Sequence, residues 1–264
     1  SKDVIPLKEA VRRNRPRVQS VTFREIAPTK AQSDTLAAIY LDVVRLWRDV
    51  GARVLTVYDQ PALTTDTQPE IDAVLTQGQN AANALTASLS IRLDGWAMAL
   101  AAWHSRKWAA NVLAASGVRI DGFLSNAMIA DDLAASLNWN KSLIRNVSDQ
   151  TRDRIANIVW SGWRARTPRN VIARQINEAV GLGVKRARRV AIDQTTKLSA
   201  ALDTSRMLEA GLDEWIWRHS GKAHPRLDHL ARNGKRYTYK TAPDDLPGEL
   251  PFCGCKKQAY LDLS

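Results

Sequence analysis

The side chains best suited to chemistry are concentrated near the C-terminus of this 264-residue chain. Three of its four histidines and both cysteines fall within the last 46 residues. Four of these residues supply the nitrogen and sulfur donors that tetrahedral zinc prefers. They are His224, His229, Cys253 and Cys255. The two histidines have the His-x4-His spacing of structural zinc sites, whereas the two cysteines are closer together than the usual Cys-x2-Cys pair. The sequence therefore offers a candidate structural zinc site.

The alternative to zinc is a small module held together by aromatic packing. In that case His229 would be hydrogen-bonded to backbone and the thiols of Cys253 and Cys255 would be buried. An ordinary disulfide between two cysteines separated by one residue is geometrically difficult, so we expect reduced or metal-bound thiols. The aromatic residues that would hold the module are Trp215, Trp217, Tyr237, Tyr239, Phe252 and Tyr260.

A catalytic interpretation makes His229 a general base and Arg226 the stabiliser of phosphoryl charge, as in a compact nuclease. The sequence offers no paired carboxylate cluster of the metal-nuclease type nearby, because Asp244 and Asp245 lie in a loop bounded by prolines. Cys253 has no characteristic nucleophile motif around it. We therefore expect no enzymatic activity and keep a nuclease-like, nucleic-acid-processing enzyme as the alternative.

The same region has a composite pattern that resembles a phage protein family. A helix from Ala191 to Ala210 ends at Gly211 and is followed by a Trp-containing strand, Glu214 to Arg218. An Arg-x2-His segment, an Asn-Gly-Lys-x-Tyr turn and a Cys-x-Cys then follow. The motif residues are Trp217, Arg226, His229, Asn233, Gly234, Cys253 and Cys255. Over roughly residues 150 to 264 this arrangement resembles the minor head proteins of tailed bacteriophages, the Mu F-like head morphogenesis family.

Two positions depart from the usual pattern of that family. Lys222 occupies a position where the family often has an acidic residue. Gly254 lies between the two cysteines, where the family usually has arginine. The resemblance implies a structural virion protein that assembles with the portal protein, the major capsid protein or the inner capsid wall. It also implies a location in the capsid interior or the capsid–portal region, and in the host cytoplasm during assembly.

The charge of the chain is consistent with a polyanionic partner. The formal net charge is +11, and lysine and arginine clusters gain affinity for nucleic acid by releasing condensed counterions. Residues 31–140 have a net charge of −4, whereas residues 141–190 have +9. No groove-reading motif is recognisable, so we expect nonspecific contact with packaged double-stranded DNA or with acidic protein. The basic residues concerned are Arg12, Arg13, Arg15, Arg17, Arg164, Arg166, Arg169, Arg174, Lys185, Arg186, Arg188 and Arg189. Solvated or salt-bridging arginines are the alternative.

The N-terminal half is predicted to be a basic arm followed by helices. Prolines in residues 1–32 prevent a long helix, so this segment is interpreted as an extended arm, either ordered by a partner or solvated. Asp59 to Pro69 is the first break, with Asp66 or Thr67 as a helix cap, and a second helical region continues to Ser116. Its tryptophans are expected in the core. The first helix has an apolar seam made of Leu36, Tyr40, Val43, Trp47, Val50 and Val54.

The C-terminal half is predicted to contain further helices and then strands. A helix ends at Thr167-Pro168, a short helix follows and stops at Gly181 to Gly183, and a long helix begins at about Val184. Asn233-Gly234 predicts a hairpin turn between strands, and the last residues predict a closing strand.

We therefore expect a mainly α protein, an elongated helical bundle or stalk with a small C-terminal α+β module. Its predicted domains are an arm (1–32), a helical domain (33–210) and the module (211–264). The longest apolar stretch, Gly95 to Trp103, is too short to span a bilayer, so no membrane partner is expected.

Overall fold

The computed structural model describes residues 6–58 and 67–264, and in these ranges the chain forms seven α-helices and one four-stranded antiparallel sheet. The helices are α1 Leu7–Asn14, α2 Lys30–Tyr58, α3 Thr67–Ser88, α4 Ser90–Ser116, α5 Ala130–Ala165, α6 Arg169–Glu209 and α7 Leu227–Arg232. The strands are β1 Ser20–Thr22, β2 Glu214–Arg218, β3 Arg236–Thr238 and β4 Lys256–Asp262. The predicted class, mainly α with a small C-terminal sheet, is confirmed. None of the helices in these ranges has the length and apolar character of a membrane span.

The chain packs as two compact units. Of the described residues, the first contains 6–32, 96–136 and 193–264, and the second contains 33–58, 67–95 and 137–192. All four boundaries between segments fall inside helices, because α2, α4, α5 and α6 each contribute residues to both units. The predicted three-part division into arm, helical domain and tail module stays a prediction, since these packing units group the residues differently.

The second unit is built on the apolar seam of α2, whose six predicted residues are all buried. The indole of Trp47 donates to the hydroxyl oxygen of Ser148 over 2.8 Å, so the polar edge of this buried ring is satisfied. The predicted helix break at Gly181 to Gly183 is wrong, because α6 continues through it for 41 residues. A Cβ at Gly183 would lie only 2.9 Å from Oγ1 of Thr151, so glycine permits close helix packing there rather than ending the helix.

The predicted second helical region is two helices, α3 and α4, separated at Leu89. Thr67 is the first residue of α3, while Asp66, the other predicted cap, lies outside the described residues. Of the three tryptophans of α4 predicted to lie in the core, Trp96 and Trp108 are buried and Trp103 is partly buried.

The first unit incorporates the N-terminal residues, so the prediction of an extended arm is wrong for the described part of it. Leu7 and Val11 on α1 are fully buried, as is Phe23 just after β1. β1 pairs antiparallel with β4, and Arg12 donates to the carbonyl of Leu263 over 3.1 Å. The arm prediction relied on charge and proline content, but the apolar residues between the arginines bury enough surface to fix this segment on its own chain.

The sheet of the first unit has the strand order β1-β4-β2-β3. β2 coincides with the predicted strand, β3 lies in the predicted strand region after Lys235, and β4 is the predicted closing strand. The segment around His229 is a helix, α7, rather than a strand, so Asn233-Gly234 does not join two strands. Instead, Gly234 follows the end of α7 at a φ of +81°, a conformation that favours glycine, and its N–H donates to the carbonyl of Trp217.

Candidate metal centre

Three of the four predicted metal donors meet in the first unit. His229, on α7, is buried, and its Nδ1 lies 3.5 Å from Sγ of Cys253 and 3.6 Å from Sγ of Cys255. Both cysteines are buried and neither is in a disulfide. The three donor atoms all lie within 4.8 Å of one another. His224 is exposed in the loop before α7 and is outside this group.

The outer nitrogen of His229 is held by a carboxylate that the sequence did not indicate. Nε2 donates to Oδ2 of Asp245 over 2.8 Å, and Arg232 donates to the other carboxylate oxygen over 2.7 Å. Because an ionised carboxylate only accepts, this bond places a proton on Nε2, and Nδ1 is the ring nitrogen that faces the thiols. Burial raises the pKa of Asp245, but the hydrogen bonds from His229 and Arg232 outweigh it and leave that pKa lowered.

The two thiols are placed by a tight loop before β4. Phe252 has a φ of +58°, and its N–H donates to Oδ1 of Asp193 over 2.6 Å, so a side chain on α6 holds this unusual backbone. The N–H of Cys253 donates to the carbonyl of Leu250. A hydrogen bond between the thiols lowers the pKa of Cys253 and raises that of Cys255.

An aromatic wall encloses His229 on the side of the sheet. Trp217 on β2 is fully buried and packs edge-to-face against the imidazole, with the ring centroids 5.0 Å apart. The guanidinium of Arg232 lies 5.0 Å from the centroid of the same indole. One tryptophan thus orients both the histidine and the arginine that holds Asp245.

The remaining motif residues fix the loops around this centre. Arg226 donates to the carbonyl of Pro251 over 2.9 Å, which ties the start of α7 to the cysteine loop. Asn233 accepts from the N–H of His219 over 3.0 Å. The N–H of Gly234 donates to the carbonyl of Trp217. All seven motif residues therefore lie in one module around His229.

The two departures from the family pattern are neighbours in space. A Cβ at Gly254 would lie 3.1 Å from Cε of Lys222 and 2.9 Å from Cβ of Ser220. Lys222 donates through Nζ to the carbonyl of Phe252 over 2.6 Å, so its side chain lies where a larger residue at position 254 would begin.

The first unit holds a second buried histidine–carboxylate pair that the sequence did not indicate. His104 on α4 is fully buried, and its Nε2 donates to Oδ1 of Asp203 on α6 over 2.8 Å. Burial raises the pKa of Asp203, and the hydrogen bond from His104 offsets only part of this effect. No sequence signal indicates this pair, because its members are 99 residues apart on two long helices.

The predicted basic contact residues fall in both units. Arg12 and Arg15 donate to backbone carbonyls of Leu263 and Ala115, whereas Arg13 and Arg17 are exposed. In the second unit Arg186 is partly buried and donates to Asn146. The other predicted basic residues of that unit are exposed, and these are Arg164, Arg166, Arg169, Arg174, Lys185, Arg188 and Arg189.

Comparison with known proteins agrees with the motif. Residues 149–258 match the model of the family described as phage Mu protein F like protein. This part of the chain is similar to the Mu F-like family. A Haemophilus influenzae relative, described as an uncharacterized protein, is 29% identical over 150 residues, which are 56% of this chain and 34% of the relative. The matched segment thus spans about a third of that relative. No solved structure matches the chain.

Proposed function

We propose that this Mu F-like chain is a structural head morphogenesis protein of a tailed bacteriophage. It assembles with the portal protein, the major capsid protein or both, and contacts packaged double-stranded DNA without reading its sequence. Its place is the capsid interior or the capsid–portal region, and the host cytoplasm during assembly. The observation that carries the proposal is that the matched residues contain a complete motif whose members all converge on one module around His229.

The geometry of His229 favours this structural role over a nuclease. A general base must reach a proton on the substrate, but Nε2 of His229 is bonded to Asp245 and its Nδ1 faces two thiols. Arg226, the proposed stabiliser of phosphoryl charge, is bonded to the carbonyl of Pro251. Incubation with plasmid and RNA, with and without divalent metal, should leave both intact. Cleavage that His229→Ala abolishes would support the nuclease instead.

The DNA contact is supported by one exposed face of α6. Arg174 and Lys185 are eleven residues apart, about three helical turns, so they lie on the same face, and Arg188 follows one turn later. All three are exposed. An exposed row of cations on a helix supplies the charge and reach that phosphate contacts need without any base-reading element.

Particle composition tests the head assignment directly. We expect mass spectrometry of purified, nuclease-treated particles to find this protein, and co-expression with the portal and major capsid proteins to recover it with at least one of them. The variant Trp217→Ala removes the indole that orients His229, and we expect it to be incorporated into particles less than the wild type. Absence from particles together with no association in co-expression would contradict the proposal.

A further inference from the structure

The spacing of the donors around His229 matches a tetrahedral zinc ion. With Zn–S bonds of about 2.3 Å and Zn–N bonds of about 2.0 Å, a tetrahedral angle places sulfur and nitrogen about 3.5 Å apart. The observed separations between Nδ1 of His229 and the two sulfurs are 3.5 and 3.6 Å. The single lone pair of Nδ1 can accept a hydrogen bond from one thiol, whereas a shared metal ion explains both contacts.

The orientation of the imidazole also fits a metal ligand. A histidine that binds zinc commonly donates its other ring N–H to a carboxylate, which fixes the tautomer and increases the basicity of the ligating nitrogen. Asp245 accepts from Nε2 of His229, and Arg232 in turn fixes Asp245. The structure therefore contains the full hydrogen-bonded chain that a zinc-bound histidine needs, from His229 through Asp245 to Arg232.

We propose that Nδ1 of His229 and the sulfurs of Cys253 and Cys255 bind one zinc ion, with Asp245 as the positioning residue for His229. This site has three ligands from the described residues rather than the four that the sequence suggested, because His224 is exposed and outside the cluster. The fourth position of the ion belongs to a group outside these three.

The position of the ion in the chain gives it a structural purpose. His229 is separated from Cys253 by 24 residues and from Cys255 by 26. Most of the intervening chain, residues 239–255, forms neither helix nor strand. A zinc ion that joins α7 to the start of β4 would close this long loop and hold the Mu F-like motif in one conformation. This inference is independent of where in the particle the protein acts.

Metal analysis of the full chain tests the site. After expression with zinc and extensive dialysis, we expect one zinc ion per chain in the wild type. His229→Ala, Cys253→Ser and Cys255→Ser should lose it, whereas the matched control His224→Ala should keep it. Zinc that persists in the three variants, or that His224→Ala alone removes, would overturn the proposed ligand set.

Two measurements keep the test valid if a ligand variant fails to fold. Cobalt(II) added to the zinc-depleted wild type should produce the charge-transfer absorption of thiolate-bound cobalt, and zinc should abolish it. Asp245→Asn keeps the size of the side chain and should weaken zinc affinity by about 10- to 100-fold. A folded wild type that gives no thiolate–cobalt band, or that carries a Cys253–Cys255 disulfide instead, would refute the site.

Discussion

The first unit contains two buried histidines that make the same hydrogen bond but face different surroundings. His229 donates to Asp245 and His104 donates to Asp203, each over 2.8 Å. Nδ1 of His229 faces two sulfurs, whereas Nδ1 of His104 has no hydrogen-bond partner among the described residues. A buried histidine–carboxylate pair alone therefore does not identify a site. The atoms on the far side of the ring decide whether the pair serves a ligand or the core.

The carboxylates bonded to these two histidines differ in their exposure and in the direction of their pKa shifts. Asp245 is partly exposed and bonded to Arg232 as well as His229, and its pKa is lowered. Asp203 lies in the core, and burial raises its pKa despite the bond to His104. Asp245 is thus held as an anion that can orient a metal ligand, while Asp203 is one member of a buried polar contact between α4 and α6. The variants His229→Ala and His104→Ala test this contrast.

Removal of zinc should have the largest effect and should act through the cluster at His229, not through His104. Where free zinc exceeds its dissociation constant about 1,000-fold, zinc adds roughly 4 kcal/mol to the free energy of unfolding, and a chelator removes this contribution. Thermal unfolding with and without chelator measures the difference. His104→Ala should show the same chelator response as the wild type, and His229→Ala should show none. Equal chelator responses from His104→Ala and His229→Ala would show that the two histidines do not differ in metal binding.

Loss of the His104 side chain should cost stability without affecting metal content. His104→Ala leaves a cavity and a buried carboxylate at Asp203 without its partner, so we expect a loss of about 2 to 3 kcal/mol. Denaturant unfolding measures this loss, and metal analysis of the same sample should still find one zinc ion per chain. A variant that loses zinc while remaining folded would show that the two pairs are coupled.

The cysteine loop should reveal whether positions 222 and 254 compensate for each other. Gly254→Arg introduces a Cβ into contact with Ser220 and Lys222, so we expect a destabilisation of about 1 to 2 kcal/mol. Adding Lys222→Glu should restore about 0.5 to 1 kcal/mol, because the new pair has opposite charges and Lys222 no longer fills the space. A double-mutant cycle in denaturant measures the coupling, and strict additivity would exclude compensation.

Sequence reasoning succeeded where the signal was local. The strand at Glu214–Arg218 and the apolar seam of α2 follow from spacing alone, and both are confirmed. Three of the predicted metal donors also lie together. The sequence gives no such signal for Asp245, which lies in a proline-bounded loop. Only the folded chain brings that loop to His229, 16 residues away in sequence.

The errors arose where tertiary packing outweighs local preference. Glycines at positions 181 and 183 cost helix stability, yet α6 continues because Gly183 lets it approach Thr151 closely. The N-terminal segment has the charge of a solvated tail, but Leu7 and Phe23 fix it in the core. Neither outcome is visible in the composition of the segment itself.

The smallest effect on stability should come from the basic face of α6, which lies in the second unit and away from both histidines in sequence. Lys185→Gln with Arg188→Gln should change the free energy of unfolding by less than about 0.5 kcal/mol per substitution. If both side chains contact phosphates, the slope of log affinity for duplex DNA against log salt should fall in magnitude by about 1.8. Arg48→Gln, an exposed charge in the acidic segment, is the control. An unchanged slope would contradict the DNA contact, and zinc content should not change.

X-ray absorption at the zinc edge of the purified wild-type protein tests the metal centre most directly, because it reports the identity of the ligating atoms. We predict two sulfur ligands at about 2.3 Å and one imidazole nitrogen at about 2.0 Å. Zinc surrounded by oxygen and nitrogen alone, with no sulfur scattering, would show that the cluster at His229 is only a packed core and no different in kind from the pair at His104.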